Sequence, residues 1–160
     1  MRIHLYLLCI FTVIIIFSAC QKEFENPFIS VIPPASSLDK FRVNADGFSF
    51  PTYVISTINV SNEISITASD VLAIKRVAVT VPANTIPGSY TLDFSGMIYF
   101  GIYYPDTSNM LISNPGAITI VENNVSSKRI RGTFSFTAKP LNGSAITSVL
   151  TNGYFSVKYP

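Results

Sequence analysis

The sequence predicts an all-β domain, and three observations carry that prediction. Apolar and polar residues alternate with a period of two from residue 41 almost to the C terminus, as in strands with one buried face. Turn signals that contain Gly, Pro or Asn recur about every 8–12 residues. No segment repeats with the longer period of an extended amphipathic helix. We therefore expect an antiparallel β-sandwich of nine or ten strands, with a small closed or partly open β-barrel as the alternative.

The chain begins with a segment typical of an export signal. Residues 5–17 form an uncharged, mostly apolar run, which fits the ~7–15 residues of a signal core and is shorter than the ~20 of a membrane-spanning helix. Two small residues, Ser18 and Ala19, then precede Cys20 in the order of a bacterial lipobox. We expect residues 1–19 to be a lipoprotein signal peptide and Cys20 to carry the lipid that ties the protein to a membrane. An ordinary signal peptide or an anchor helix is the alternative.

The residues after the cysteine predict a tether. They begin with a short acidic segment that resembles the signal directing Bacteroidota-type lipoproteins to the outer face of the outer membrane, carried here by Gln21, Lys22, Glu23 and Glu25. Prolines between residues 26 and 39 favour an extended path. Residues 20–39 are thus expected to be a lipidated cysteine and flexible tether that displays the protein at the cell surface. A periplasm-facing tether with a merely solvated start is the alternative.

The first half of the domain predicts a hairpin and a series of short strands. Residues 41–50 alternate around an Asp46-Gly47 turn, and Pro51 restricts the second arm to an edge or a bend. Residues 53–60 and 64–68 continue as strands on either side of a turn at Ser61-Asn62. The segment up to residue 75 is expected to be a loop or one helical turn. Residues 77–81 and 90–94 then read as strands.

Residues 97–104 are apolar at both odd and even positions. This pattern is typical of a central strand covered on both sides, or of a strand whose outer face meets a ligand or partner. Core packing explains Tyr104 best. Tyr99 and Tyr103 are candidates for a binding surface, because exposed aromatic rings stack on sugar faces or anchor protein contacts.

The second half contains the clearest alternation of the chain. Within residues 129–138 the side chains expected to point inward are Ile130, Phe134, Phe136 and Ala138. Gly132 takes an inward position without a side chain, which predicts a bulge or a close backbone crossing. Flanking strands are expected at residues 110–113, 118–120, 146–150 and 155–159. Residues 40–160 are therefore predicted to form a single β-domain.

Several ordered segments resemble a family of Bacteroidota-type lipoproteins described as a domain of unknown function. The segments are residues 41–48 (FRVNADGF), 87–92 (PGSYTL), 116–120 (GAITI), 132–138 (GTFSFTA) and 151–155 (TNGYF). The resemblance implies a small all-β extracytoplasmic lipoprotein. It brings no known activity and therefore implies no catalytic residue.

Composition restricts the chemistry of the domain. The only histidine is His4 and the only cysteines are Cys9 and Cys20, so the domain has no imidazole base, no thiol nucleophile and no His or Cys metal ligand. We expect no enzyme activity, no cofactor and no metal; a small hydrolase built on two carboxylates is a distant alternative. A net charge of +2 gives no field for binding nucleic acid.

The expected function is therefore recognition without catalysis. Arg129 and Arg131 share the outward face of one predicted strand, where they suit an anionic glycan or headgroup, although solvated charges that protect a sheet need no ligand. A non-enzymatic accessory module of the cell envelope that binds a glycan, a small ligand or an envelope protein is the first hypothesis. A structural protein that joins an assembly through a β-edge near Pro51 or through its C-terminal strand is the second.

Overall fold

A computed structural model describes residues 39–143 and 145–160, which form one antiparallel sheet curled into an open half-barrel. Its ten strands are β1 (Lys40–Ala45), β2 (Phe48–Ser49), β3 (Val54–Val60), β4 (Glu63–Ser69), β5 (Arg76–Pro82), β6 (Gly88–Thr91), β7 (Phe100–Tyr104), β8 (Leu111–Asn124), β9 (Arg129–Pro140) and β10 (Ser148–Lys158). The predicted signal peptide, Cys20, the export signal of Gln21, Lys22, Glu23 and Glu25, and nearly all of the tether lie outside the described residues. Within the described part, no helix has the length and apolarity required to cross a membrane.

The sheet order is β2-β1-β10-β9-β8-β7-β5-β4-β3, and β6 pairs with β8 beside this path. The all-β prediction is confirmed, and the partly open barrel describes the fold better than the sandwich, because the described strands belong to one sheet that curves around one core. The turns at Asp46-Gly47 and Ser61-Asn62 are also confirmed, with positive φ at all four residues. The C-terminal strand β10 lies between β1 and β9, so the expectation that it offers an edge is wrong. The strands on either side of Pro51, β2 and β3, are the two ends of the sheet.

The curvature brings the end strand β3 towards β1 and β10 along a seam, which we define as the gap between β1 and β3. At one end of the seam, Thr57 Oγ1 in β3 donates a hydrogen bond to the carbonyl of Lys158 at 2.9 Å. At the other end, the chain passes from the β1–β2 hairpin to β3. There the Phe50 amide donates a hydrogen bond to the carbonyl of Val43, and the Tyr53 amide donates one to the carbonyl of Ser69, each at 2.8 Å. The seam is therefore bounded at both ends.

The core fills the concave face of the sheet. The predicted inward residues of β9 are buried, since Ile130, Phe134, Phe136 and Ala138 are between 0% and 4% exposed. Gly132 lies among them, and a Cβ atom there would stand 2.6 Å from the carbonyl oxygen of Thr119. The close backbone crossing predicted at this glycine is thus confirmed.

The segment around residue 100 differs from its prediction. A 3-10 helix, Phe94–Gly96, comes first, and β7 begins only at Phe100. The inward positions of β7 are Gly101 and Tyr103, because the missing side chain of Gly101 lets the Phe136 ring approach within 2.7 Å of where its Cβ would be. Tyr103 is consequently buried, and Tyr104 points outward with the Arg76 guanidinium 4.4 Å from its ring centroid. The expectation of a core Tyr104 and an exposed Tyr103 is therefore wrong.

Candidate functional site

A shallow groove of about 850 Å³ crosses the outer face of the sheet, on the side opposite the core. We call it the outer groove; its lining residues are Arg42, Val43, Asn44, Ser49, Ala117, Thr119, Thr133, Phe134, Ser135, Thr151, Asn152, Gly153 and Tyr154. They come from β1, β2, β8, β9 and β10 and the bulge within β10. Most carry a hydroxyl or amide group and can both donate and accept hydrogen bonds.

Strand register arranges these side chains in rows across the sheet. The central row runs through five adjacent strands, because Ser89 pairs with Thr119, Thr119 with Thr133, Thr133 with Tyr154 and Tyr154 with Arg42. Ser89 Oγ and Thr119 Oγ1 are hydrogen-bonded at 2.8 Å. With interstrand spacings of about 4.8 Å, the row is about 19 Å long.

The rows on either side of the central row have different chemistry. On the side towards the first residue of β1, Glu122, Arg131, Ser156 and Lys40 stand opposite one another in turn. Arg131 and Glu122 form an exposed ion pair at 3.2 Å. The other neighbouring row is short and polar and consists of Ala117, Ser135, Thr151 and Asn44, interrupted by the bulge in β10. The groove thus has small side chains in its floor and longer charged ones along one border.

The bulge in β10 shapes this floor. The register shifts between Leu150 and Gly153, and Asn152 adopts a left-handed conformation with φ 55°. Gly153 then lies so close to β9 that a Cβ atom would be 2.5 Å from the carbonyl oxygen of Phe134. The bulge therefore presents Thr151, Asn152 and Tyr154 together on the groove side.

A second cavity of about 630 Å³ opens at the seam and shares Arg42 and Tyr154 with the outer groove. We call it the seam pocket; it is lined by Asp39, Lys40, Phe41, Arg42, Thr52, Tyr53, Ile55 and Tyr154. The Tyr53 side chain is 71% exposed. The Arg42 guanidinium lies 5.1 Å from the centroid of the Tyr154 ring, a cation–π arrangement that joins the two cavities.

Two polar groups of the seam pocket are turned inward. Asp39 accepts a hydrogen bond from the Lys158 amide at 3.0 Å and lies 3.9 Å from the Arg129 guanidinium. Thr52 Oγ1 is buried and has no hydrogen-bond partner among the described residues. Among the described residues, Asp39 is the only carboxylate in the lining of either cavity, so these residues place no pair of facing carboxylates of the kind that a glycosidase uses. In residues 39–143 and 145–160, no group of three or more His, Cys, Asp or Glu side chains is placed to hold a metal ion.

The tyrosines predicted as a binding surface have structural roles. The Tyr99 ring stacks on Tyr90 with centroids 4.3 Å apart, packs against the core, and brings its hydroxyl 3.3 Å from Thr85 Oγ1. Burial, followed by the Tyr99 phenol, raises the pKa of Tyr90 above its ordinary value. Tyr103 lies in the core, where burial and then the charges of Asp46 and Asp106 raise its pKa.

The predicted arginines lie on the same face as the outer groove but outside its lining. Arg131 borders the groove in the row beside Thr133, and Arg129 stands further along β9 near Asp39. The sequence prediction missed Tyr53, Tyr154 and Arg42 as site residues. Their outward positions in alternating strands were readable, but the register that brings Arg42 beside Tyr154 joins residues 112 positions apart in the chain.

No curated protein and no solved structure matches the chain significantly. One family model does match, over residues 40–157, and its description reads "Domain of unknown function (DUF6252)". The matched region starts at the first residue of β1 and ends one residue before the end of β10, so it covers the curled sheet except for Lys158. The chain therefore belongs to the DUF6252 family of unknown function.

Proposed function

We propose that this protein is a non-enzymatic glycan-binding module, attached through a lipid on Cys20 to the outer membrane and displayed at the cell surface. The observation that carries the binding role is the central row, in which Thr119, Thr133, Tyr154 and Arg42 line the outer groove and Ser89 continues the row beyond it. A sugar ring has hydroxyl groups around its rim and C–H groups on its faces. Thr and Ser side chains can form hydrogen bonds with the hydroxyl groups at the rim, and an aromatic ring can pack against the C–H groups of the face.

The shape of the site favours an extended ligand over a small one. The outer groove is shallow, and its central row is about 19 Å long at the usual interstrand spacing. A polymer that lies across the strands would meet a polar side chain on every strand from β6 to β1. A compact ligand would contact only a part of this row.

The proposed location rests on the sequence. Residues 5–20 have the order of a lipoprotein signal, and residues 21–39 reach up to ~60 Å if extended at about 3.1–3.3 Å per residue. A tether of that reach leaves the groove free to meet a polymer outside the membrane. This fits an accessory protein of the cell envelope.

Binding is tested by affinity electrophoresis of the full-length protein in detergent through gels that contain soluble polysaccharides. Tyr154→Ala should weaken retention about tenfold, equivalent to 1.4 kcal/mol, because it removes the one aromatic ring of the central row. Tyr104→Ala is the matched control: Tyr104 is also an outward tyrosine beside an arginine, but it lies outside the groove. Equal loss in both variants, or no retention of the wild type by any polymer, contradicts the proposed binding role.

The anchor is tested separately in cells. Metabolic labelling with a fatty acid should mark the wild type and leave Cys20→Ser unlabelled, and external protease should remove the wild type from intact cells. A label that persists in Cys20→Ser ends the lipoprotein assignment. A labelled protein that external protease does not remove would face the periplasm instead of the cell surface.

A second candidate function, assembly through a β-edge, is favoured by β3. This end strand has no charged residue and no proline, and its outward side chains Ile58 and Val60 are 56% and 61% exposed. Natural edge strands usually carry charges that prevent pairing with another chain. Sedimentation velocity should then detect self-association that is abolished by Ile58→Lys and retained in Val125→Lys, which alters an equally exposed turn residue. A monomeric wild type eliminates self-assembly through this edge.

A further inference from the structure

We infer that the glycan held by the outer groove is acidic, and that Lys40 and Arg42 bind its carboxylate or sulfate group where the groove meets the seam pocket. This inference rests on the proposed function and adds the charge of the ligand to it. It depends on the charges, the geometry and the aromatic rings at this one place in the fold.

The charge balance of the two cavities is positive at their junction. Lys40 and Arg42 are both exposed, and neither forms an ion pair with another described residue. The nearby carboxylates are engaged elsewhere: Glu122 with Arg131, and Asp39 with Arg129 and the Lys158 amide. An anion placed here therefore meets two cations, and Asp39, the one carboxylate among the described residues that line either cavity, is already engaged with Arg129 and the Lys158 amide.

The two cations also face the same direction. They are two positions apart in β1, so their side chains leave the same face of the sheet about 7 Å apart along the strand. Arg42 is held over the Tyr154 ring, which leaves the N–H groups at the edge of its guanidinium free to point away from the ring. A planar guanidinium fixed in this way can donate two parallel hydrogen bonds to one carboxylate or sulfate group.

Two aromatic residues line the cavities at this position. Tyr154 belongs to the outer groove and the seam pocket alike, and the largely exposed Tyr53 also lines the seam pocket. An acidic sugar at the junction would have its ring beside an aromatic face and its anionic group beside the cations. The neutral Ser and Thr side chains of the groove would then form hydrogen bonds with the hydroxyl groups of the neighbouring sugars in the polymer.

The test uses two polymer pairs, each with one sugar backbone in an acidic and a neutral form. The full-length protein in detergent is run through gels containing polygalacturonate or its methyl ester, and dextran sulfate or dextran. We expect about tenfold stronger retention by at least one acidic polymer than by its neutral partner, and weaker retention as salt rises from about 50 to 200 mM. The double variant Lys40→Gln/Arg42→Gln should lose this preference, because it removes both charges and leaves a polar side chain at each position. Lys139→Gln, an exposed cation on β9 outside both cavities, should retain it.

The outcomes separate this inference from the proposed function. Equal retention by acidic and neutral polymers, still dependent on Tyr154, overturns the acidic ligand and leaves glycan binding intact. An acidic preference that Lys139→Gln reduces as much as the double variant does also overturns the inference, because it reports net charge only. No retention by any of the four polymers overturns the inference, and the proposed glycan binding fails when a wider set of neutral polymers is also not retained.

Discussion

Gly132→Ala tests how closely the strands cross at the centre of the core. Gly132 lies in β9, opposite Ile120 of β8 and Phe155 of β10. A Cβ atom at this position would be 2.6 Å from the carbonyl oxygen of Thr119 and 2.7 Å from Cζ of Phe155. Both distances are shorter than non-bonded carbon contacts in proteins, so one neighbour on each side has to move.

The expected loss of stability in Gly132→Ala depends on which neighbouring atoms have to move. Overpacking a core typically costs about 1–3 kcal/mol, and here one obstacle is backbone and the other is a ring with 0% exposure. Replacing glycine in a strand returns about 0.5–1 kcal/mol through lower entropy of the unfolded chain. Because neither obstacle can yield easily, we take the upper end of the overpacking cost, about 3 kcal/mol, and expect Gly132→Ala to lower the free energy of unfolding by about 2 kcal/mol. Urea unfolding followed by far-ultraviolet circular dichroism measures this change.

A control and a second substitution make this prediction specific. Gly96→Ala should change stability by less than about 0.5 kcal/mol, because no atom of the described residues, apart from its chain neighbours and the backbone of its own helix, lies within 4 Å of the added Cβ. Phe155→Leu should partly relieve Gly132→Ala, with a coupling of about 1 kcal/mol in a double-mutant cycle, since it removes the ring obstacle and leaves the Thr119 carbonyl. The reasoning is refuted if Gly132→Ala is as mild as Gly96→Ala, or if the cycle shows no coupling.

Two further predictions concern polar groups. Thr52→Val should raise the free energy of unfolding by about 1 kcal/mol in the same urea experiment, because it keeps the shape of the side chain and removes a buried hydroxyl without a partner among the described residues; a loss of similar size would mean that the hydroxyl is satisfied. The pKa of Asp106 is lowered first by the hydrogen bond from the Asn109 side chain and then by the backbone amides of Ser108 and Asn109. Because the folded pKa lies below the unfolded one, the stability that this group contributes is present above the ordinary value of about 3.9 and is lost as pH falls through the lowered folded value. Asn109→Ala should raise the pKa of Asp106 towards its ordinary value in a carboxyl NMR titration, and an unchanged titration would contradict the assigned cause.

For strands with one buried and one exposed face, the sequence was sufficient to predict which side chains face the core. In β9 the inward residues Ile130, Phe134 and Phe136 alternate strictly with polar ones, so a period of two identifies the core side. In β7 both faces are apolar, so the same rule has no polar side to mark as outward. The face of β7 that points to the core is the one with Gly101, because this glycine allows the Phe136 ring to approach. The two residues are distant in the sequence, so a local pattern cannot predict their contact.

The alternation of apolar and polar residues could not predict whether the strands form a sandwich or a half-barrel. A sandwich and a half-barrel both bury one face of each strand, so their alternation is the same. What distinguishes them here is pairing between distant segments, such as β7 with β5 and β1 with β10, and the register shifts in β8 and β10. These shifts bend the strands, and the curvature brings the end strand β3 to β10, where Thr57 donates its hydrogen bond to the Lys158 carbonyl.

The bulge in β10 shapes both the outer groove and the part of the core beside it. Gly153 lets β10 approach the Phe134 carbonyl on the inner side, and the register shift beside it turns Tyr154 and Asn152 towards the groove. Because Tyr154 in turn holds Arg42 through its ring, the position of the cation depends on how closely the strands approach at Gly153. A side chain at Gly153 would therefore cost stability and also displace the aromatic ring and the cation of the proposed site, whereas Tyr154→Ala would remove the site and leave the inner contact in place.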